Sequence, residues 1–103
     1  MAFNLPSTQV GRKDDQEKTR LDLIEPEFIE QLGKVLTFGA KKYEPNSWQK
    51  VEDAENRYYG ALFRHLLAYR NGETEDPESK LSHLAHIACN AMFLMHFEQE
   101  KKK

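Results

Sequence analysis

Apolar residues recur at helical spacing in three separate segments of the chain. In the first segment, Phe28, Leu32 and Val35 fall on one helical face. Pro26 suits the first turn of a helix, where its missing N–H costs nothing. The pattern therefore predicts a helix over residues 26–43.

The second segment predicts a helix from near Asp53 to Tyr69 or Arg70. Asn71 and Gly72 follow it, and both residue types tolerate the left-handed backbone that ends helices. The apolar stripe of this helix consists of Tyr59, Leu62, Phe63, Leu66 and Leu67.

The third segment predicts a helix with Ser79 as its N-cap, continuing to about Gln99. At a rotation of roughly 100° per residue, this helix has two opposite faces that both lack charged residues. One face contains Leu81, Leu84, Ala88, Met92 and Met95. The opposite face contains His83, His86, Asn90 and Phe97. A helix that buries only one side carries charge on the other. We therefore expect the second face to be covered by another subunit, a ligand or both.

These segments predict an all-α fold of three main helices, completed by oligomerisation. No segment alternates as a strand does, and a chain of 103 residues forms one domain at most. We expect residues 1–20 to be a flexible N-terminal arm, residues 21–99 a single helical domain, and residues 100–103 a frayed C-terminal tail.

Composition narrows the possible partners and the compartment. A net charge of −2 provides no global field for a nucleic-acid polymer, although a small polyanion can still bind in a local pocket. No apolar run approaches the roughly 20 residues needed to cross a bilayer. Cys89, the single cysteine, is expected to be a buried core residue in the reducing cytoplasm.

Candidate chemistry is concentrated between Arg64 and Asn90, where acidic residues separate the histidines. Glu73, Asp76 and Glu78 are oxygen donors of the kind that bind Mg²⁺ or Mn²⁺. The alternative interpretation is a solvated acidic turn before a helix N-terminus.

His83 and His86 are spaced i, i+3, so a helix brings their side chains together. Such a pair can bind a metal, orient a phosphate or transfer protons near neutral pH. Asn90, one turn further on, adds a two-way hydrogen-bonding amide. The alternative is that these side chains are buried in a helix–helix interface.

Basic and aromatic residues outside this segment are typical of a nucleotide pocket, in which cations hold phosphates and rings stack on the base. The candidates are Lys41, Lys42, Tyr43, Trp48, Arg64 and His65. Arg12, Lys13, Lys18 and Arg20 either close over a triphosphate or stay solvated. No P-loop or Rossmann motif is present.

Three blocks of sequence resemble the phage and prophage family of dATP/dGTP diphosphohydrolase N-terminal domains. The blocks are GRKDDQEKTRLDLIEPEF, LTFGAKKYEPNSW and RYYGALFRHLLAYRNGETEDPESKLSHLAHIACNAMFL. They occur in the family's order and span about residues 11–97. This family is similar in turn to the all-α, MazG-type nucleoside triphosphate pyrophosphohydrolases.

The resemblance implies an oligomeric, Mg²⁺-dependent enzyme, in the host cytoplasm if phage-encoded, that cleaves a purine deoxynucleoside triphosphate to the monophosphate and pyrophosphate. The residues that it marks are Lys41, Lys42, Tyr43, Trp48, Arg64, His65, Gly72, Glu73, Asp76, Glu78, His83, His86 and Asn90. MazG-type enzymes hold metal with ExxE on one helix and ExxD on the next. Here Glu27 and Glu30 fit ExxE only at the start of the first helix, and the ExxD position is occupied by HxxHxxxN.

Two hypotheses follow. In the first, the chain is a deoxypurine triphosphate pyrophosphohydrolase. Its metal carboxylates are Glu73, Asp76 and Glu78, while His83 and His86 serve as auxiliary ligands or position water. In the second, the chain is a non-catalytic helical oligomer that sequesters a nucleotide or nucleotide signal, as a phage counter-defence sponge would.

Overall fold

Three α-helices account for most of the structure, a computed structural model that describes residues 17–103. The helices are α1 (Pro26–Lys42), α2 (Ala54–Arg70) and α3 (His83–Lys101). Short 3₁₀ turns at Leu21–Leu23 and Ser47–Lys50 precede α1 and α2. Residues 17–103 contain no strand, so the all-α prediction is confirmed. The predicted contributions of Arg12 and Lys13 lie outside the described residues.

The ends of α1 and α2 agree closely with the sequence pattern. Pro26 occupies the first turn of α1, and the side chain of Glu25 caps it by accepting a hydrogen bond from the Phe28 amide. Asn71 ends α2, and Gly72 follows with φ of 102°, a left-handed conformation that glycine adopts without strain.

The predicted start of α3 was wrong. Its N-cap is Ser82, whose hydroxyl accepts a hydrogen bond from the Leu84 amide. Ser79 belongs instead to the preceding turn, because Lys80 adopts a left-handed φ of 63° that interrupts the helix before it begins. At its other end α3 reaches Lys101 rather than Gln99.

Helix α3 lies between α1 and α2 and packs against both. A small core forms along it from Ala85, Cys89 and Phe93, together with Val35 of α1. Lys101 pairs with Glu55 at 2.8 Å, which joins the end of α3 to the start of α2. The prediction that Cys89 is a buried core residue is confirmed, since it is 4% exposed. Burial raises the pKa of its thiol to about 12.

The predicted faces of α2 and α3 require correction. His83 and Asn90 are buried within the chain itself, so α2 covers the face that we expected a subunit or ligand to cover. Leu84 and Met95, on the opposite face of α3, are exposed. The α2 stripe is also largely exposed, including Leu67, which is 60% accessible.

Trp48 connects the 3₁₀ turn before α2 to the core. Its ring stacks on Phe93 with centroids 4.3 Å apart, and its carbonyl accepts a 2.7 Å hydrogen bond from the hydroxyl of Tyr58. These contacts hold the loop between α1 and α2 against α3. None of the helices in residues 17–103 is long and apolar enough to cross a membrane.

Candidate functional site

The connection between α2 and α3 is folded by its own backbone hydrogen bonds. The amide of Asp76 donates to the carbonyl of Leu81 at 2.8 Å, and the amide of His83 donates to the carbonyl of Thr74 at 3.0 Å. The Asp76 carboxylate accepts from the amide of Ser79 at 2.8 Å, an arrangement that Asp before Pro favours. The acidic segment is therefore an ordered loop that presents Asp76 to the helices.

Three histidines from two helices meet beside this loop. His65 of α2 lies with its Nδ1 atom 2.8 Å from Nδ1 of His83, the first residue of α3. The rings of His65 and His86 stack in parallel, with centroids 4.4 Å apart. Helical phase predicted that His83 and His86 are close, but not that His65 joins them.

Burial keeps His65 and His86 neutral. Together with the neighbouring His86 and His83, it lowers the pKa of His65 to about 4. Burial also lowers the pKa of His86, although the Asp76 carboxylate opposes this. Near neutral pH both rings therefore retain a nitrogen lone pair that can accept a proton or bind a ligand.

The carboxylate of Asp76 lies beside His86 and near His65. Partial burial opposes its ionisation, but the hydrogen bonds from Ser79 prevail and lower its pKa. Its Oδ2 atom lies 4.0 Å from Nε2 of His86, which forms a 2.7 Å hydrogen bond with the Ser79 hydroxyl. Asn90 supports this arrangement by donating to the carbonyl of His86 at 2.9 Å.

The two other predicted metal carboxylates have separate partners. Glu73 contacts Nε2 of His83 at 2.7 Å, and Glu78 forms an ion pair with Lys42. Among residues 17–103, the group with metal-ligand spacing is instead His65, Asp76 and His83, whose donor atoms all lie within 4.8 Å of one another. Neither Glu27 nor Glu30 lines the cleft described next.

A cleft of about 1180 Å³ opens beside this cluster, somewhat larger than the roughly 300–1,000 Å³ typical of small-molecule sites. It lies between the C-terminal end of α1, the loop that carries Trp48, and the inner faces of α2 and α3. The predicted site residues that line it are Lys42, Tyr43, Trp48, Arg64, His65, Glu78, His86 and Asn90. Lys41, Glu73, Asp76 and His83 do not line it.

The cleft contains both cations and aromatic rings. Arg64 has room beside α2 because residue 60 is glycine: a Cβ there would lie 3.2 Å from Nη1 of Arg64. Tyr43 is 66% exposed and can stack on a ligand. Trp48, predicted to share that role, already stacks on Phe93, so one face of its ring is occupied.

Arg57 is a cleft residue that sequence reasoning missed. It precedes Arg64 by seven positions, which places both on the same face of α2. That spacing could have identified it. Ser79 was also missed as a partner of His86, because it was assigned to the helix N-cap.

Comparisons with known proteins agree on one family. The family described as "dATP/dGTP diphosphohydrolase, N-terminal" matches residues 8–103. A protein of Salmonella phage PMBT28 named dATP/dGTP diphosphohydrolase is 40% identical over 86 residues. That alignment covers 82% of this chain and 28% of the relative, so the chain spans less than a third of the relative's length. No solved structure matches the chain significantly.

Proposed function

The chain belongs to the family of dATP/dGTP diphosphohydrolase N-terminal domains, and from that membership we propose that it hydrolyses purine deoxynucleoside triphosphates. The products are the deoxynucleoside monophosphate and pyrophosphate. One structural observation carries the proposal: the cleft places Arg57 and Arg64 beside the buried cluster of imidazoles and a carboxylate. Phosphate-binding and proton-transferring groups thus share one site.

The proposed reaction forms a bond from water oxygen to the α-phosphorus and breaks the bond from that phosphorus to the α–β bridging oxygen. Pyrophosphate leaves with the electron pair of the broken bond. Neutral His86 accepts the proton of the water, and Asp76 stabilises the imidazolium that forms. Lys42, Arg57 and Arg64 bind the phosphate oxygens, and Tyr43 stacks on the base.

The proposal includes a divalent metal ion, which would neutralise phosphate charge and activate the attacking water. The family resemblance implies Mg²⁺, which prefers oxygen ligands. The site does not fit that ion well, because Glu73 and Glu78 have separate partners and two of the three converging donors are imidazole nitrogens. We therefore assign no step to Mg²⁺.

The direct test is to incubate the purified chain with each of the four deoxynucleoside triphosphates and Mg²⁺ or Mn²⁺, and to measure pyrophosphate. The proposal expects release from dGTP or dATP and little from the pyrimidine nucleotides. No release from any of the four would reject it.

Replacing Arg64 by Ala should raise KM for the purine nucleotide about 10- to 100-fold, because a hydrogen bond to a charged group contributes about 1.5–3 kcal/mol. Steady-state kinetics measures the change. Arg70→Ala is the matched control, since Arg70 ends α2 and does not line the cleft. Equal effects of the two variants on KM would show that Arg64 does not bind the phosphates.

A non-catalytic nucleotide binder is the second candidate function. It is favoured because Glu73 and Glu78 are already paired, while the cleft keeps its cations and rings. Thermal-shift titration with dGTP, without divalent ions, separates the two functions in the Asp76→Ala, Glu78→Ala double variant. Binding retained with turnover lost supports the enzyme. If the double variant binds dGTP as the wild type does, and the wild type releases no pyrophosphate, the binder is supported.

We also propose that the chain forms a homo-oligomer through the exposed apolar face of α2 and α3. Tyr59, Phe63 and Leu67 are exposed on α2. Beside them Leu62 and four α3 residues, three of them apolar, line a hollow of about 320 Å³. Exposed apolar surface of this kind is typical of interfaces.

Leu67→Asp is expected to lower the mass measured by light scattering to that of the monomer, because it places a charge in the apolar contact. Lys34→Asp, on an exposed position of α1, is the control and should leave the mass unchanged. A wild-type protein that is monomeric at about 100 µM would contradict the proposal, since that concentration exceeds the Kd of stable interfaces.

A further inference from the structure

We propose that His65, His83 and Asp76 form a binding site for a transition-metal ion of the zinc and iron class, rather than for Mg²⁺. The role of the ion rests on the proposed function, but the existence of the site does not. The three donor atoms are Nδ1 of His65, Nδ1 of His83 and a carboxylate oxygen of Asp76.

Donor atoms from three segments of the chain converge at this site. The donor atoms lie within 4.8 Å of one another although they come from α2, from the start of α3 and from the loop between them. Donors at about 2.1 Å from a tetrahedral ion lie about 3.4 Å apart, so small side-chain rotations suffice to close the site. His83 is 2% exposed, and His65 and Asp76 are partly buried.

The tautomer of His83 also favours metal binding. Its Nε2 atom lies 2.7 Å from a carboxylate oxygen of Glu73, which accepts a hydrogen bond and so places the ring proton on Nε2. Nδ1 of His83 then has a lone pair, which is directed at His65. Metal-binding histidines are commonly oriented by a carboxylate on the other ring nitrogen.

The two imidazoles are placed as a pair of metal ligands would be. Their Nδ1 atoms face each other at 2.8 Å, so in the metal-free protein one of them must donate a proton to the other. Because His83 carries its proton on Nε2, the shared proton belongs to Nδ1 of His65. A metal ion takes the place of that proton, which moves through solvent to Nε2 of the same ring, so His65 stays neutral and its Nδ1 lone pair binds the ion.

The donor set identifies the class of ion. Two imidazoles and one carboxylate are found with Zn²⁺ and Fe²⁺, whereas Mg²⁺ prefers oxygen donors and retains several waters. Three protein donors leave at least one coordination position for water or a phosphate oxygen. His65 is the donor that lines the cleft, so the ion would face the proposed substrate site.

The test uses Co²⁺ as a spectroscopic substitute for Zn²⁺, with the full chain free of any affinity tag. We expect visible absorption of low-coordinate cobalt at one Co²⁺ per chain, together with a rise in Tm because the ion connects two helices and a loop. Zn²⁺ should displace the cobalt, and about a thousandfold excess of Mg²⁺ should not.

Variants locate the ion. His65→Ala should abolish the absorption, and Glu73→Gln should weaken Co²⁺ binding about 10- to 100-fold while leaving all three ligands in place. Glu73→Gln also keeps the inference testable if the His65→Ala variant fails to fold. His96→Ala is the control, because His96 contacts Trp48 away from the cluster.

Absorption that is absent, displaced by equimolar Mg²⁺ or lost equally in His96→Ala would overturn the inference. These results are independent of turnover. Cobalt binding without pyrophosphate release would leave the metal site standing and reject the proposed hydrolysis. Pyrophosphate release without cobalt binding would do the reverse.

Discussion

Replacing Asp76 by Asn is expected to lower kcat for purine deoxynucleoside triphosphate hydrolysis by about 100-fold or more. The carboxylate of Asp76 lies beside His86, with Oδ2 4.0 Å from Nε2 of that ring. Without its charge, the imidazolium that forms during proton transfer loses its stabilising partner. The asparagine oxygen can still accept the hydrogen bond from the Ser79 amide, so the loop should keep its shape.

Steady-state kinetics with dGTP measures this effect, and thermal denaturation checks that the fold is retained. Glu75→Gln is the matched control, since Glu75 is an exposed carboxylate next to Asp76 that does not line the cleft. A kcat within about twofold of wild type in Asp76→Asn would remove this residue from the proposed chemistry.

Replacing Phe93 by Ala is expected to reduce the free energy of unfolding by about 3–5 kcal/mol. Phe93 is 9% exposed and contacts the rings of Trp48 and Tyr58, with centroids at 4.3 and 4.7 Å. Small domains are stable by only about 5–15 kcal/mol. The loss therefore removes a large share of the stability and releases the loop that forms one wall of the cleft.

Urea denaturation followed by circular dichroism measures this change. Phe28→Ala makes the same substitution on α1, where the ring is 47% exposed, and should cost less than about 1 kcal/mol. Similar losses in the two variants would contradict the assignment of Phe93 to the centre of the core.

The sequence was sufficient to predict the three helices because their caps and apolar spacing are local signals. Pro26 and Asn71–Gly72 define ends of α1 and α2 without reference to the rest of the fold. The start of α3 was missed because the left-handed Lys80 depends on hydrogen bonds between Asp76 and residues 80–81. These hydrogen bonds within the turn cannot be read from the spacing of apolar residues.

The candidate site was predictable in part. Helical spacing brings His83 and His86 together, but His65 joins them only because α2 packs antiparallel to α3. The pairings of Glu73 with His83 and Glu78 with Lys42 likewise depend on packing between distant segments. The apolar stripe of α2 also indicated the wrong buried face. This helix buries the face that contains His65 and exposes the stripe that contains Leu67.

We propose that the cleft of this domain converts a purine deoxynucleoside triphosphate to its monophosphate. Product analysis of a dGTP reaction by anion-exchange chromatography, with the 103-residue chain and a divalent ion, is the measurement that decides this. The expected result is dGMP and pyrophosphate in equal amounts, formed by the wild type and not by Asp76→Asn. Intact dGTP, or dGDP and phosphate as the products, would contradict the claim.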